Sequence, residues 1–244
     1  MDFLRNTLKT FIYEFANSHF NKNSLNSIKY DDFSDIPEFQ LSGPAQLITT
    51  EFDGKKGIRL TNDYNQVGKL LCLNDINIGE SGEFATEFNF KLSNPRGAGD
   101  ADGVGADGIK FILEGEKGEI GIFIDTYHNW EDSSGNHIDL EINGQNVLQG
   151  YVDSKLNNGN IFKLRLEYKN NLLIVHLSEE ENDFISTNED ENKQIVPILA
   201  YPINIIKHLG GQNIRITFVG MTGAGAQNQD ILTWEFYSRD SIDM

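Results

Sequence analysis

Short apolar runs separated by polar punctuation dominate the chain from about Lys29 onward: PAQLITTEF, GIRLTN, GKLLCLND, GEFATEFNFKL, GIKFILEG, EIGIFIDTY, HIDLEING, IFKLRLEYK, NLLIVHLSE, IRITFVGM and DILTWEFYS. In FATEFNFKL the apolar Phe84, Phe88, Phe90 and Leu92 alternate with polar residues, and FKLRLEYK and LLIVHL behave alike. Period-two alternation marks a strand with one buried face. Polar turns at 155–160 and 169–171 separate such runs, and the succession predicts two antiparallel sheets packed face to face. A doubly wound α/β arrangement would need helices between the strands, which this pattern does not provide.

Ahead of the strands, Leu4, Leu8, Phe11, Ile12 and Phe15 recur at helical spacing, which predicts a short amphipathic helix within residues 1–22. Its expected role is to dock on a sheet or on another subunit. The expected organisation is therefore a helical or peripheral extension over 1–28, one β-sandwich domain over 29–238, and a short tail over 239–244. The acidic stretch at 182–194 reads as a long connection inside the sandwich, and no internal repeat is evident.

Charge narrows the partners. With 37 acidic against 20 basic side chains the formal net charge is -17, which repels nucleic acid and anionic membrane faces where no basic patch is segregated. No run is long enough to span a bilayer, so direct membrane insertion is not expected. The N-terminus lacks the uninterrupted apolar core of a secretory signal; an extracellular or cell-surface location would follow if the domain belongs to an adhesin. Cys72 is the only cysteine, so an intrachain disulfide is excluded, and the residue reads as a small buried hydrophobe.

The candidate chemistry lies in GADGIKFILEGEKGEIGIFIDTYHNWEDSSGNHIDLEING. Asp125, Tyr127 and Asn129 alternate at the end of an apolar strand, and Asp132 follows in a polar turn. Calcium takes carboxylate, amide and carbonyl oxygens, and Asp125, Asp132, the Asn129 side chain and the Tyr127 carbonyl can provide them. The same residues also suit a turn satisfied by local hydrogen bonds. Trp130 can stack on the apolar face of a sugar or pack internally. In GAGAQNQD, Gly223 and Gly225 can expose backbone donors, and Gln227 and Gln229 can contact a ligand or belong to a turn before the last strand. Asp139 and Glu141 share one strand face and could form the carboxylate pair of a glycosidase.

From YDDFSDIPEFQLSGPAQL and GIRLTN through FATEFNFKL and GADGIKF to FVGMTGAGAQNQDILTWEF, the chain resembles the L-type, or legume-like, lectin family over roughly residues 30–238. That resemblance implies a concanavalin A-like antiparallel β-sandwich, or jelly roll, and calcium-dependent, non-catalytic binding of a glycan or glycoprotein. It implies that Asp107, after a cis Ala106–Asp107 peptide, accepts hydrogen bonds from sugar hydroxyls. Asn129 would touch both sugar and calcium, and Asp125, the Tyr127 carbonyl and Asp132 would complete the ion's ligands. His137 corresponds to a ligand of a neighbouring transition-metal position.

Two departures alter these expectations. The legume pattern places a Glu two residues before the Asp125 position, where this chain has Phe123, so the second metal position loses a ligand and His137 by itself reads as a hydrogen-bonding turn residue. The segment between Phe111 and Asp125 is short, which leaves the Gly115 or Gly118 amide as the expected donor opposite Asp107. An adhesion or assembly domain that has lost sugar binding is the competing reading, and the lectin scaffold suits a homo-oligomer or a place in a larger adhesin.

Overall fold

The computed structural model describes residues 25–50, 53–101, 103–130, 132, 134–179 and 197–239. The expected N-terminal helix, the acidic 182–194 connection and the tail from 240 onward lie outside the described residues.

In chain order the strands are β1 (Leu25–Tyr30), β2 (Phe39–Ser42), β3 (Gln46–Thr49), β4 (Lys56–Thr61), β5 (Val67–Cys72), β6 (Ile76–Asn77), β7 (Phe84–Gly97), β8 (Gly99–Asp100), β9 (Gly103–Val104), β10 (Gly108–Glu114), β11 (Glu119–Asp125) and β12 (His137–Ile142). They continue with β13 (Gln145–Tyr151), β14 (Ile161–Lys169), β15 (Leu172–Glu179), β16 (Leu199–Pro202), β17 (Asn213–Met221) and β18 (Gly225–Arg239), with one short helix, α1 (Ile205–Leu209), before β17. The first strand begins at Leu25, ahead of the boundary expected at residue 29.

Two sheets form the sandwich. The back sheet runs β16-β15-β14-β7-β18-β4-β3, with β1 also paired to β18; the front sheet runs β13-β12-β11-β10-β17-β5-β2, with β6 paired to β17. Every paired strand is antiparallel to its neighbour. The all-β jelly-roll expectation is correct, because alternation puts one apolar face of each sheet against the other. On β14, Phe162, Leu164, Leu166 and Tyr168 point inward, and on β10 and β11 the inward set is Ile109, Phe111, Leu113, Ile120, Ile122 and Ile124. Phe218 stands at the centre, 5.1 Å from the ring of Phe88 and 5.1 Å from that of Phe111, and 5.9 Å from Trp234.

The last strand departs from simple alternation. Its register against β7 shifts between Ile231 and Thr233, so the inward sequence runs Ile231, then Trp234 and Phe236. A β-bulge of this kind resets which side chains face the core. Turn chemistry closes the back-sheet hairpin between β14 and β15, where Asn170 and Asn171 both adopt left-handed backbone, φ 52 and 59, as a type I′ turn needs. Helix α1 is a connector, capped by the Asn204 side chain and ended by Gly210 at φ 90, and it buries Ile205 and Leu209. Cys72 is buried and unpaired, as expected.

Candidate functional site

Inward Ile122, Ile124, Ile138 and Leu140 force their neighbours to the outer face of the front sheet. Phe123 and Asp125 on β11 and His137, Asp139 and Glu141 on β12 therefore share that face. Register pairs Asp125 with His137, Phe123 with Asp139, and Asp139 in turn with Gln149 on β13. At the end of β10, Gly108 lies directly opposite Asp125. A Cβ at Gly108 would stand 1.8 Å from the Ile124 carbonyl oxygen, so only glycine lets the two strands pair beside Asp107.

The Ala106–Asp107 peptide is cis, as the resemblance implied. The Asp107 backbone ties into both neighbouring strands: its N–H donates to the Met221 carbonyl at 2.9 Å, and its carbonyl accepts from the Thr126 N–H and hydroxyl, each at 2.9 Å. Its carboxyl is half-buried, and burial raises its pKa above the ordinary value. From Thr126 the chain folds back on itself. The Tyr127 N–H donates to Asp125 Oδ1 at 2.8 Å, the Asn129 N–H to Asp132 Oδ2 at 2.8 Å, and the Asp132 N–H to the Asn129 carbonyl at 3.1 Å.

These turns bring Asp125, Asp132 and His137 together, with one ligand atom from each lying within 4.8 Å of the others. His137 Nε2 is 3.8 Å from Asp125 Oδ2, 3.8 Å from Asp132 Oδ1 and 3.4 Å from Asp139 Oδ2. The imidazole is fully buried, and the three carboxylates around it are only 5%, 7% and 8% exposed as side chains. Burial pushes the Asp125 carboxyl up to about 7, with Asp132 and Asp139 adding to the shift and the Tyr127 N–H and His137 opposing it. Burial also works against a charged His137, but the carboxylates of Asp139, Asp125 and Asp132 outweigh it and hold its pKa above the usual value. Concentrated buried negative charge is costly unless a cation balances it, and this oxygen-rich donor set suits a divalent metal ion.

Several expected contacts fall elsewhere. Gln227 and Gln229 are fully buried, because β18 begins at Gly225 and the GAGAQNQD segment is strand where a surface turn was expected. Gln227 Nε2 donates to Thr126 Oγ1 at 2.9 Å, and its Oε1 accepts from Asn157 Nδ2 at 3.0 Å. Gln229 Nε2 donates to the Met221 carbonyl at 2.7 Å. Both brace the structure behind Asp107, Gln227 through Thr126 and Gln229 through the Met221 carbonyl that also accepts from the Asp107 N–H. Gly118 is also misplaced as a sugar donor. The β10–β11 hairpin closes through Glu114 paired with Glu119, six residues along the strand from Gly108, or about 20 Å at ~3.4 Å per residue. There Gly118 lines an acidic cavity of about 330 Å³ with Glu114, Gly115, Glu119 and Asn143.

Beside the cis peptide lie the segments 97–101 and 222–225, joined by the Ala98 N–H donating to the Ala224 carbonyl at 3.0 Å. A Cβ at Gly225 would meet the Ala98 carbonyl oxygen at 2.8 Å and the Ala106 side chain at 2.9 Å, so the two loops abut across the cis peptide. Asp100 in the small β8–β9 hairpin accepts from the His128 N–H at 2.5 Å, a contact no local pattern signalled. Trp130 is 94% exposed, which removes the internal-packing alternative. Glu141 is paired with Lys110 at 2.6 Å, and Asp139 joins the His137 cluster.

The sequence pattern of the legume lectin domain family matches residues 117–244, more than half of the chain. No curated protein matches it. Among solved structures, the fold is similar to peanut lectin with a nine-residue peptide, at 21% identity and a TM-score of 0.67, covering 87% of this chain and 97% of that one. Winged bean acidic lectin complexed with methyl-α-D-galactose gives 17% identity and a TM-score of 0.69, with 88% and 98% covered. The metal-free form of lectin I-B4 from Griffonia simplicifolia gives 21% and 0.66, with 86% and 98% covered. At such identities the likeness speaks for the fold, and the family pattern speaks for the lineage; the chain belongs to the legume lectin domain family.

Proposed function

We propose that the domain binds glycans without catalysis and that calcium organises the binding surface. Family membership supports carbohydrate binding, and the folded-back 125–132 loop supports the ion. Asp125 and Asp132 would supply charge, with the Asn129 side chain and the Tyr127 carbonyl as neutral oxygens. A calcium ion there balances the buried carboxylates and holds the loop in one conformation. Asp107, Asn129 and Trp130 would face the sugar.

The observation that carries the reading is the double hydrogen bond from Thr126 to the Asp107 carbonyl. Through it, order imposed on the metal loop passes directly to the residue that would accept from sugar hydroxyls. Metal and sugar are therefore linked ligands, each stabilising the state the other prefers.

Calorimetric titration of calcium and methyl-α-D-galactoside, the sugar in the winged bean complex, tests this alongside a broad glycan panel. Asp125→Asn should weaken both calcium and sugar binding, and Asp107→Ala chiefly sugar binding. Calcium affinity unchanged in folded Asp125→Asn, or sugar binding unaffected by thorough chelation, would refute the mechanism. The competing assembly reading rests on the hairpin that carries Gly118 away from Asp107; a blank glycan panel together with a reproducible protein partner would favour it.

A further inference from the structure

Along each strand of the back sheet, every second side chain points away from the core. One outward row crosses the sheet through paired residues: Ala200 on β16, Ile174 on β15, Glu167 on β14, Ala85 on β7 and Tyr237 on β18. The row beside it holds His176, Arg165, Glu87 and Glu235. This side of the sheet faces away from the sandwich, yet Ile174 is 0% exposed, and Ala85, Glu167, His176, Glu235 and Tyr237 are buried as well.

The sheet by itself cannot bury Ile174. Neighbouring strands lie ~4.8 Å away and shield only the flanks of an outward side chain, and on one flank stands only the methyl group of Ala200. The tip needs a lid. Leu172 and Ile174 form an apolar cluster of their own, apart from the sandwich core, with Ala200 as its partly buried neighbour. Among the described residues, the elements packed extensively against β15 are its sheet neighbours β14 and β16, so the cover comes from another part of the chain. Charges on this face are already paired, Arg165 with Glu87 and Glu167, and Lys29 with Glu235. An apolar lid therefore meets no uncompensated ion there.

Residues 1–24 precede β1. In them Leu4, Leu8, Phe11, Ile12 and Phe15 follow the i, i+4, i+7, i+8, i+11 spacing that puts all five on one face of a helix. A helix over 4–15 is ~18 Å long, and four inter-strand steps from Tyr237 to Ala200 span ~19 Å. The Leu25 backbone pairs with Arg239, two residues from Tyr237, so the preceding chain leaves β1 beside this row. Residues 16–24 can extend up to ~30 Å, enough to cross the face within one chain. The 182–194 connection suits the position less, since Asp183, Glu189, Asp190 and Glu191 outnumber its large apolar side chains, Phe184 and Ile185.

We propose that residues 4–15 dock as an amphipathic helix across the outer face of the back sheet of their own chain. Leu4, Leu8, Phe11, Ile12 and Phe15 then cover Ile174, Leu172, Ala85 and Tyr237. Docked there, the segment closes this face to a second chain.

The test reads access to the face with a thiol reporter in the full chain. With Cys72→Ser, Ile174→Cys becomes the single thiol. Val67→Cys, at a front-sheet side chain 53% exposed, is the open reference. Both are labelled with a maleimide under native conditions, with circular dichroism checking the fold. Ile174→Cys should react at least ~100-fold more slowly than Val67→Cys, because a covered site reacts only through its open population. Leu8→Glu with Ile12→Glu should speed it by at least ~10-fold by favouring that open population, with Val67→Cys unchanged. If the paired charges unfold the chain, Leu8→Ala with Ile12→Ala gives the same comparison, and Leu172→Cys serves if Ile174→Cys does not fold. Free reactivity of the reporter in the otherwise unaltered segment would overturn the proposal. So would protection that survives Leu8→Glu with Ile12→Glu, that is lost instead in Phe184→Glu with Ile185→Glu, or that weakens on dilution as a second copy's segment would.

Discussion

Replacing Gln227 with methionine separates bracing from direct sugar contact. Gln227 joins Asn157 to Thr126, and Thr126 in turn holds the Asp107 carbonyl. Methionine preserves the volume, so little cavity opens, but both amide hydrogen bonds disappear. Each contributes about 1 kcal/mol net, and the Asn157 N–H left without its acceptor costs about 1 kcal/mol more, for a total of about 3 kcal/mol. For a domain of this size that loss lowers Tm by roughly 6–12 °C. Calorimetric unfolding at neutral pH reads the stability, and methyl-α-D-galactoside titration reads the site. The expected result is a large drop in Tm with a smaller, indirect loss of sugar affinity. An unchanged Tm with abolished sugar binding would mean that Gln227 reaches the ligand, and the bracing argument would be wrong.

Trp130→Ala should leave stability within about 0.5 kcal/mol because the side chain is exposed, while sugar affinity falls by about 1 kcal/mol, or roughly five-fold, from lost stacking; unchanged affinity on titration would remove Trp130 from the site. Gly108→Ala should cost more than about 4 kcal/mol and sharply lower the urea midpoint, whereas Gly211→Ala, with nothing within 4 Å of the added carbon, should leave it in place. Burial holds the His176 imidazole below its ordinary pKa, with Glu167 opposing and Arg165 assisting. The unfolded chain therefore binds the proton more readily, so this contribution to stability is full above about pH 6.5 and is lost as pH falls through the folded value. A Tm series across that range should show a shallower acid slope in His176→Asn than in wild type, and equal slopes would count against it.

Local pattern carried much of this protein. Alternation in FATEFNFKL and FKLRLEYK marked strands because a two-residue period follows from the pleat alone. Asp125, Asn129 and Asp132 lie together because the 125–132 turn is closed by contacts between near neighbours in the chain, whereas Asp107 entered only through the family resemblance. Other features depended on register between distant segments. Gln227 and Gln229 turned inward because β18 extends back to Gly225 to pair with β7, and polar residues in a strand read locally as a turn. Gly118 was carried away from Asp107 because Glu114 and Glu119 close their hairpin at the opposite end of the strands. Asp139 reached His137 because β11 and β12 align it with Phe123. Side-chain period is set by the backbone of one strand, but which side chains meet across strands depends on pairing between segments far apart in the chain, and only the folded tertiary structure decides it.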